Sequence, residues 1–339
     1  MKVFQANYIK NFQCNGEICK SRCCRDWHAP VDEDALKKIS TLGDKNILKN
    51  FVKLEENLTA IKLTAENKCS FLREDFLCSL QKNHGEDFLP AICQTYPRVN
   101  YKISEEIFLQ SMTLTCPVAA KIILLNRNKI FFEVSDELKG RMIIDFTKKI
   151  PRSAEDFLNL QFSAINILQD RNFSINQRLK NLCEFFGEKN FSDFDEEKHS
   201  AELVKIFSEM YHANFDAEKQ KTLSKNYLST YKKLFAQFEK NFSYILENYL
   251  VNEFFMRCYP CAFEGDEFFN CKIFVTAFKV LQFALVLTTI ANKNLEVGEM
   301  INLICAVNDM LDHSRGGMDA IKNFAKRADE KIFSALMLE

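Results

Sequence analysis

The stretch CNGEICKSRCC, residues 14–24, governs the reading of this chain because it crowds Cys14, Cys19, Cys23 and Cys24 into one short run. Four more cysteines follow at wider spacing: Cys69 and Cys78 in CSFLREDFLC, Cys93 in ICQTYPR, and Cys116 just ahead of Pro117. These are eight of 13 cysteines, and Pro30, Pro90, Pro97 and Pro117 fall in the same segment. Short apolar runs broken by proline leave little room for long regular elements, so the segment needs another kind of staple. Thiolates supply one, being soft donors of which four close around iron–sulfur or zinc.

Within this segment no paired CxxC knuckle of the structural-zinc type occurs. An adjacent pair such as Cys23–Cys24 suits a polymetallic cluster, and a Cys–Pro step recurs at cluster ligands. The expected centre is therefore a [4Fe–4S] cluster, with zinc as the alternative. The candidate ligands are Cys14, Cys19, Cys23, Cys24, Cys69, Cys78, Cys93 and Cys116. His28 and His84 lie near the thiols in sequence, but histidines there are more often surface or supporting groups. Cys183 and Cys305 sit on apolar helical faces and read as plain buried thiols. Cys258-x2-Cys261-x9-Cys271 has ligand-like spacing without a fourth partner, so an accessory site and a coincidence both stay open.

The bulk composition is that of an ordinary globular protein, 47% apolar and 27% charged, with a net charge of −1. Nothing in that balance calls for nucleic acid or an anionic membrane. The opening MKVFQANYIKNFQCNG is polar where an export signal would be apolar. A cytoplasmic location is expected, and there cysteines stay reduced. The apolar stretch 273–291 is interrupted by Lys279 and Gln282, so it reads as a buried helix rather than a membrane span. The 32 phenylalanines read as core filling.

Beyond residue 120 apolar residues recur at three- and four-residue spacing. Residues 154–169, 175–186, 201–211, 224–258 and 298–313 each predict an amphipathic helix, and a last one follows Gly316–Gly317. Only residues 99–112 alternate weakly, as a small hairpin would. The predicted fold is mainly α, with a loop-rich, cysteine-rich metal-binding module over residues 1–120. That module is expected to pack on an all-helical body over residues 121–339.

CxxxCC at 19–24 followed by Trp27, then CSFL, CSL and ICQTYPR, resembles the cysteine-cluster CxxxCC family. With NYIKNFQCNG at the start, CPVAA at 116–120 and ENYLVNEFF at 247–255, the arrangement is similar to the flagellin lysine-N-methylase family. The resemblance covers the cysteine segment well and the helical half only through that last stretch. It implies a [4Fe–4S]-dependent methyltransferase that moves a methyl group from S-adenosylmethionine to lysines of flagellin or another protein. The turn Cys258-Tyr259-Pro260-Cys261 departs from the family's Phe-Pro-Phe-like turn.

Bottom-up, little cofactor chemistry is visible. There are nine glycines and no GxGxxG turn for a nucleotide, and no CxxxCxxC of a radical enzyme. If S-adenosylmethionine binds, chelation of an open cluster iron by its amino-carboxylate is one route. Arg98, beside the second cysteine group, and Glu247 and Asn252, on one predicted helix with Asn248 and Tyr249, are the candidate catalytic residues. A carboxylate near the substrate amine would help deprotonate it, since only a neutral lysine attacks a sulfonium methyl.

Overall fold

In the computed structural model the described residues are all except 56–57, 188–195, 211–216, 293–294, 315, 330–332, 334–335 and 337–339. The chain divides into two compact units, Met1–Ala119 with Phe132–Thr147, and Ala120–Phe131 with Lys148–Glu339. The segment after residue 120 thus returns once to the first unit before the helices begin.

Seven strands form in the first unit: β1 (Lys2–Ala6), β2 (Phe51–Glu55), β3 (Leu58–Ile61), β4 (Arg98–Lys102), β5 (Ile107–Met112), β6 (Phe132–Ser135) and β7 (Ile144–Asp145). Five make one mixed sheet in the order β6-β1-β5-β4-β7, and β2 pairs with β3 alone. The weak alternation over 99–112 is the antiparallel β4–β5 hairpin, with Tyr101 opposite Leu109. Where the sequence predicts only loops around that hairpin, a full sheet stands. β1 lies parallel to β5 and antiparallel to β6, with Val3 opposite both Phe108 and Ser135. Its sequence KVFQA buries Val3, Gln5 and Ala6 without clean alternation, so the strand is made by its partners rather than by a local pattern.

Short helices connect the strands: α1 (Gly16–Cys19), α2 (Glu33–Ser40), α3 (Lys45–Leu48), α4 (Ser79–His84), α5 (Ala91–Thr95) and α6 (Pro117–Leu124), the last crossing into the second unit. Asp32 organises several of them. Its Oδ1 caps α2 by accepting the Ala35 amide at 3.0 Å, and its Oδ2 accepts the Ala91 amide of α5 at 2.6 Å. Arg141 ties the returning segment to the same place, donating to Gln94 Oε1 at 2.7 Å and to the Leu89 carbonyl at 2.7 Å. Across the β4–β5 pair, Gln110 donates to Asn100 Oδ1 at 2.7 Å, and both reach the Lys139 carbonyl.

The described part of the second unit is helical: α7 (Ala154–Leu168), α8 (Ile175–Phe185), α9 (Glu196–Met210), α10 (Ala217–Met256), α11 (Glu267–Asn292), α12 (Val297–His313) and α13 (Gly317–Arg327). Ser153 and Ser174 start α7 and α8 by accepting the amides of Asp156 and Gln177. Glu296 and Glu299 close a reciprocal capping box on α12. The expected long helix over 224–258 is broken at Phe242, whose φ of −134° is not helical. Tyr211, at the end of one predicted helix, lies outside the described residues, as does most of the chain past Asp329. α11 is the stretch read as a buried helix. It is long and apolar enough to cross a membrane, yet 83% of its apolar window is covered by the protein. It packs against α8, α9, α10, α12 and α13, which explains an apolar surface on every side.

The carboxyl of Asp32 is held below the usual carboxylate range. Burial alone would raise it, but the Ala91 and Ala35 amides and the Arg141 guanidinium outweigh that. Its stabilising contribution is thus full at neutral pH and fades as the pH falls through that depressed value. Asp32→Ala is expected to destabilise the chain by about 1–2 kcal/mol, the usual cost of a lost N-cap, and Asp32→Asn by less. Urea unfolding at pH 7 checks both, and the difference between wild type and Asp32→Ala should shrink in acid.

Candidate functional site

All eight cysteines of the first segment line one cavity of about 410 Å³ inside the first unit. That is the size of a small-ligand pocket. Four stretches bring them there: the loop and turn around α1, the bridged loop 69–78, helix α5, and the start of α6. All 13 cysteines are free thiols. Among the described residues, no three Cys, His, Asp or Glu side chains converge tightly enough to form a ready-made metal shell. The eight thiols thus gather around a cavity without forming a closed coordination sphere.

Local sequence explains the gathering. Gly16 opens α1 where any side chain would collide: an added Cβ would lie 2.1 Å from the Phe76 carbonyl oxygen. That close approach lets Ser21 Oγ donate to the same carbonyl at 2.5 Å, clamping the 14–24 loop onto the 69–78 loop. The Cys69 amide donates to the Cys24 carbonyl at 2.8 Å, a second tie between the same loops. Lys20, Ser21, Asp26, Asn67 and Phe76 all adopt positive φ. That conformation costs about 1 kcal/mol for a residue with a Cβ, and it persists where surroundings dictate it.

The thiols differ in environment. Burial pushes Cys69 up to about 12 and Cys116 up to about 11, and drives Cys93 higher still. Backbone amides act in the opposite sense. Cys69 receives them from Phe71 and Leu72, Cys78 from Leu80 and Gln81, and Cys116 from Ala119 and Val118. Cys23 and Cys24 stand with their sulfurs 4.0 Å apart, so that Cys24 is lowered by the hydrogen bond that raises Cys23.

Among the described lining residues there is one guanidinium, Arg98, and one carboxylate, Glu86. Arg98 lies over the Phe12 ring at 5.2 Å, and its buried Nε has no hydrogen-bond partner among the described residues. Desolvation lowers its pKa, while Glu86 and Cys14 pull it back up. Glu86 is exposed, at the rim, and nothing in its sequence setting distinguished it beforehand. Phe12, Trp27, Phe71, Phe76 and Tyr96 give the walls their apolar character. His28 bonds the Ile61 carbonyl through Nδ1, and His84 packs on Phe88; neither lines the cavity.

The other two predicted catalytic residues belong to the second unit. Glu247 is buried, and both of its oxygens are taken. Arg171 donates to them at 2.8–3.1 Å and Arg178 to Oε2 at 2.8 Å. Asn248 donates to the Asn126 carbonyl at 2.6 Å, Tyr249 is buried beside Phe278, and Asn252 donates to Glu253 Oε1 at 3.3 Å. Arg257 joins buried Glu253 to half-buried Asp312 through bonds of 2.7 Å each. Cys258 and Cys261 are buried at the turn after α10. Cys271 meets Cys183 of α8, with sulfurs 3.6 Å apart.

Removing the charge of Glu247 would leave Arg178 buried and uncompensated. Glu247→Gln is therefore expected to cost about 3–5 kcal/mol of stability. Thermal and urea unfolding of the variant should show that loss, and an unchanged stability would refute this role.

The sequence model of the FliB lysine N-methylase C-terminal domain matches residues 184–338, all within the second unit. The chain is 31% identical over 130 residues to the flagellar biosynthetic protein FliU of Salmonella muenchen, covering 36% of this chain and 76% of that protein. It is 30% identical over 130 residues to the lysine-N-methylases of Salmonella typhimurium and Salmonella choleraesuis. Those two matches cover 36% of this chain and 32% of each relative, so they span about a third of the curated lysine-N-methylases. No solved structure matches the chain. The chain belongs to the FliB lysine N-methylase family, a family of protein lysine N-methyltransferases.

Proposed function

We propose that this chain methylates lysines of a flagellar protein, flagellin, using S-adenosylmethionine, and that the thiol-lined cavity holds an iron–sulfur cluster on which the activity depends. One observation carries the reading: eight cysteines share a single cavity with one guanidinium and one carboxylate. The donor set fits the cluster. Thiolates are its ordinary ligands, and paired amide donors at Cys69, Cys78 and Cys116 favour the thiolate form and tune a cluster's sulfurs. The unpartnered Nε of Arg98 fits a carboxylate, which it would hold through a charge-assisted bond.

When bound, the cluster would offer an iron position for the donor's amino-carboxylate, and the donor an electrophilic methyl on a sulfonium. The protein's own residues do the rest. Arg98 fixes the carboxylate end of the donor. Phe12, Phe71 and Phe76 exclude water, and their low dielectric favours an uncharged amine over an ammonium. Glu86, on the rim, accepts the proton that a lysine must shed before its Nζ attacks the methyl carbon. In this reading Glu247 and Asn252 support the helical unit and do not handle substrate.

The direct test is anaerobic incubation of the iron-loaded chain with S-adenosylmethionine and monomeric flagellin, followed by intact-mass measurement. Mass increments of whole methyl groups on flagellin are expected; their absence with the folded, iron-loaded chain, or their appearance with metal-free protein, would overturn the proposal. Arg98→Lys should raise the KM for S-adenosylmethionine about tenfold or more, because a charge-assisted bond contributes about 1.5–3 kcal/mol. Its kcat should change far less, as steady-state kinetics would show.

A further inference from the structure

Two large apolar side chains stand wet at the mouth of the thiol-lined cavity. The lining residues that are also exposed include Cys14, Gln81 and Glu86, and with them Trp27 and Leu77. Trp27 is 40% exposed and Leu77 42%. Neither joins the apolar cluster of Val31, Phe71, Leu80 and Leu89 that packs beside the cavity. A single exposed leucine on a surface needs no explanation, but two such residues on the rim of one cavity mark a place where something docks.

The same backbone device places both. Each directly follows a residue that holds a positive φ despite its side chain: Asp26 at 64° ahead of Trp27, and Phe76 at 59° ahead of Leu77. For a residue as bulky as Phe that conformation is an outlier, and such outliers cluster at ligand clamps. Hydrogen bonds then fix each position. The Asp26 amide donates to the Asn67 carbonyl at 2.9 Å, and the Trp27 indole Nε1 donates to the Cys23 carbonyl at 2.8 Å. The Arg73 amide donates to the Leu77 carbonyl at 3.0 Å, closing a tight turn, and the Leu77 amide donates to Asp75 Oδ1 at 3.3 Å. Ser21 grips the Phe76 carbonyl, which anchors that turn to the 14–24 loop.

A small methyl donor that fits inside the cavity has no need of an apolar rim. A lysine on a protein surface does: its backbone stays outside, its four-carbon stem crosses the rim, and its nitrogen reaches the interior. Apolar side chains suit the stem, and an indole face attracts the ammonium before it gives up its proton at Glu86. We propose that Trp27 and Leu77 form the entry for the substrate lysine, contacting its stem and setting affinity for the protein substrate rather than for the methyl donor. The assignment rests on the reaction proposed above and names the residues of the mouth that read its substrate.

The test is steady-state kinetics on the iron-loaded full chain, with monomeric flagellin and S-adenosylmethionine varied in turn. Trp27→Ala and Leu77→Ser should each raise the KM for flagellin about tenfold, as truncating a central apolar contact does, and move the KM for S-adenosylmethionine by less than about twofold. Trp27→Phe keeps a ring but loses the indole bond to Cys23, and should recover most of the affinity. Trp27 is the single tryptophan of the chain, so its emission reports occupancy without turnover. A tryptophan-free flagellin peptide bearing one lysine should shift that emission saturably, and the same peptide with alanine in place of the lysine should not. Circular dichroism confirms that each variant is folded. An unchanged KM for flagellin in both folded variants, or an equal rise in the KM for S-adenosylmethionine, overturns the assignment and leaves the reaction intact. If wild type methylates nothing, the reaction falls and the peptide titration decides: an emission that stays still, or moves equally with the alanine peptide, overturns the entry as well.

Discussion

Eight thiols around one small cavity, with a single guanidinium among them, impose an electrostatic constraint on the whole first unit. Burial alone keeps most of them protonated, since each thiolate would be desolvated beside its neighbours. A multivalent cation reverses that balance by supplying the charge that the protein's side chains do not. The amide pairs aimed at Cys69, Cys78 and Cys116 already lean the same way. The clash-prone contact of Gly16 with Phe76 and the positive-φ residues between Lys20 and Phe76 are what it takes to bring distant loops to one cavity.

The helical unit handles buried charge differently. Its ionised groups arrive with partners from the same chain: Glu247 between Arg171 and Arg178, and Arg257 between Glu253 and Asp312. Such sets contribute little net stability compared with apolar packing, yet losing one member is costly. They fix which helix faces meet, while α11 supplies apolar surface in every direction.

The parts legible in the sequence were those carried by local pattern. The periodicity over 154–169 and 175–186 gives α7 and α8 to within a residue or two, and the broken apolar run at 273–291 is the buried α11. The 99–112 alternation gives the hairpin. What the pattern could not carry was set by partners far along the chain. β1 acquires its strand from residues more than 100 positions away, and the sheet needs the 132–147 segment that looks like part of the helical half. Glu247 looked available because its neutralising arginines stand 76 and 69 residues earlier. Glu86 went unnoticed because a rim carboxylate has no local signature; only the cavity wall singles it out.

The order in which the chain leaves and re-enters the first unit has a consequence for its biogenesis. All eight thiols precede residue 117, but β6, which flanks β1, and β7, which flanks β4, come after the excursion through residues 120–131. During synthesis the sulfurs therefore emerge before the sheet beneath them has its outer strands. Arg141, which tethers the returning segment to Gln94 and Leu89, arrives later than every cysteine of the cavity. The cavity is thus complete only once residues well beyond its last cysteine have folded back.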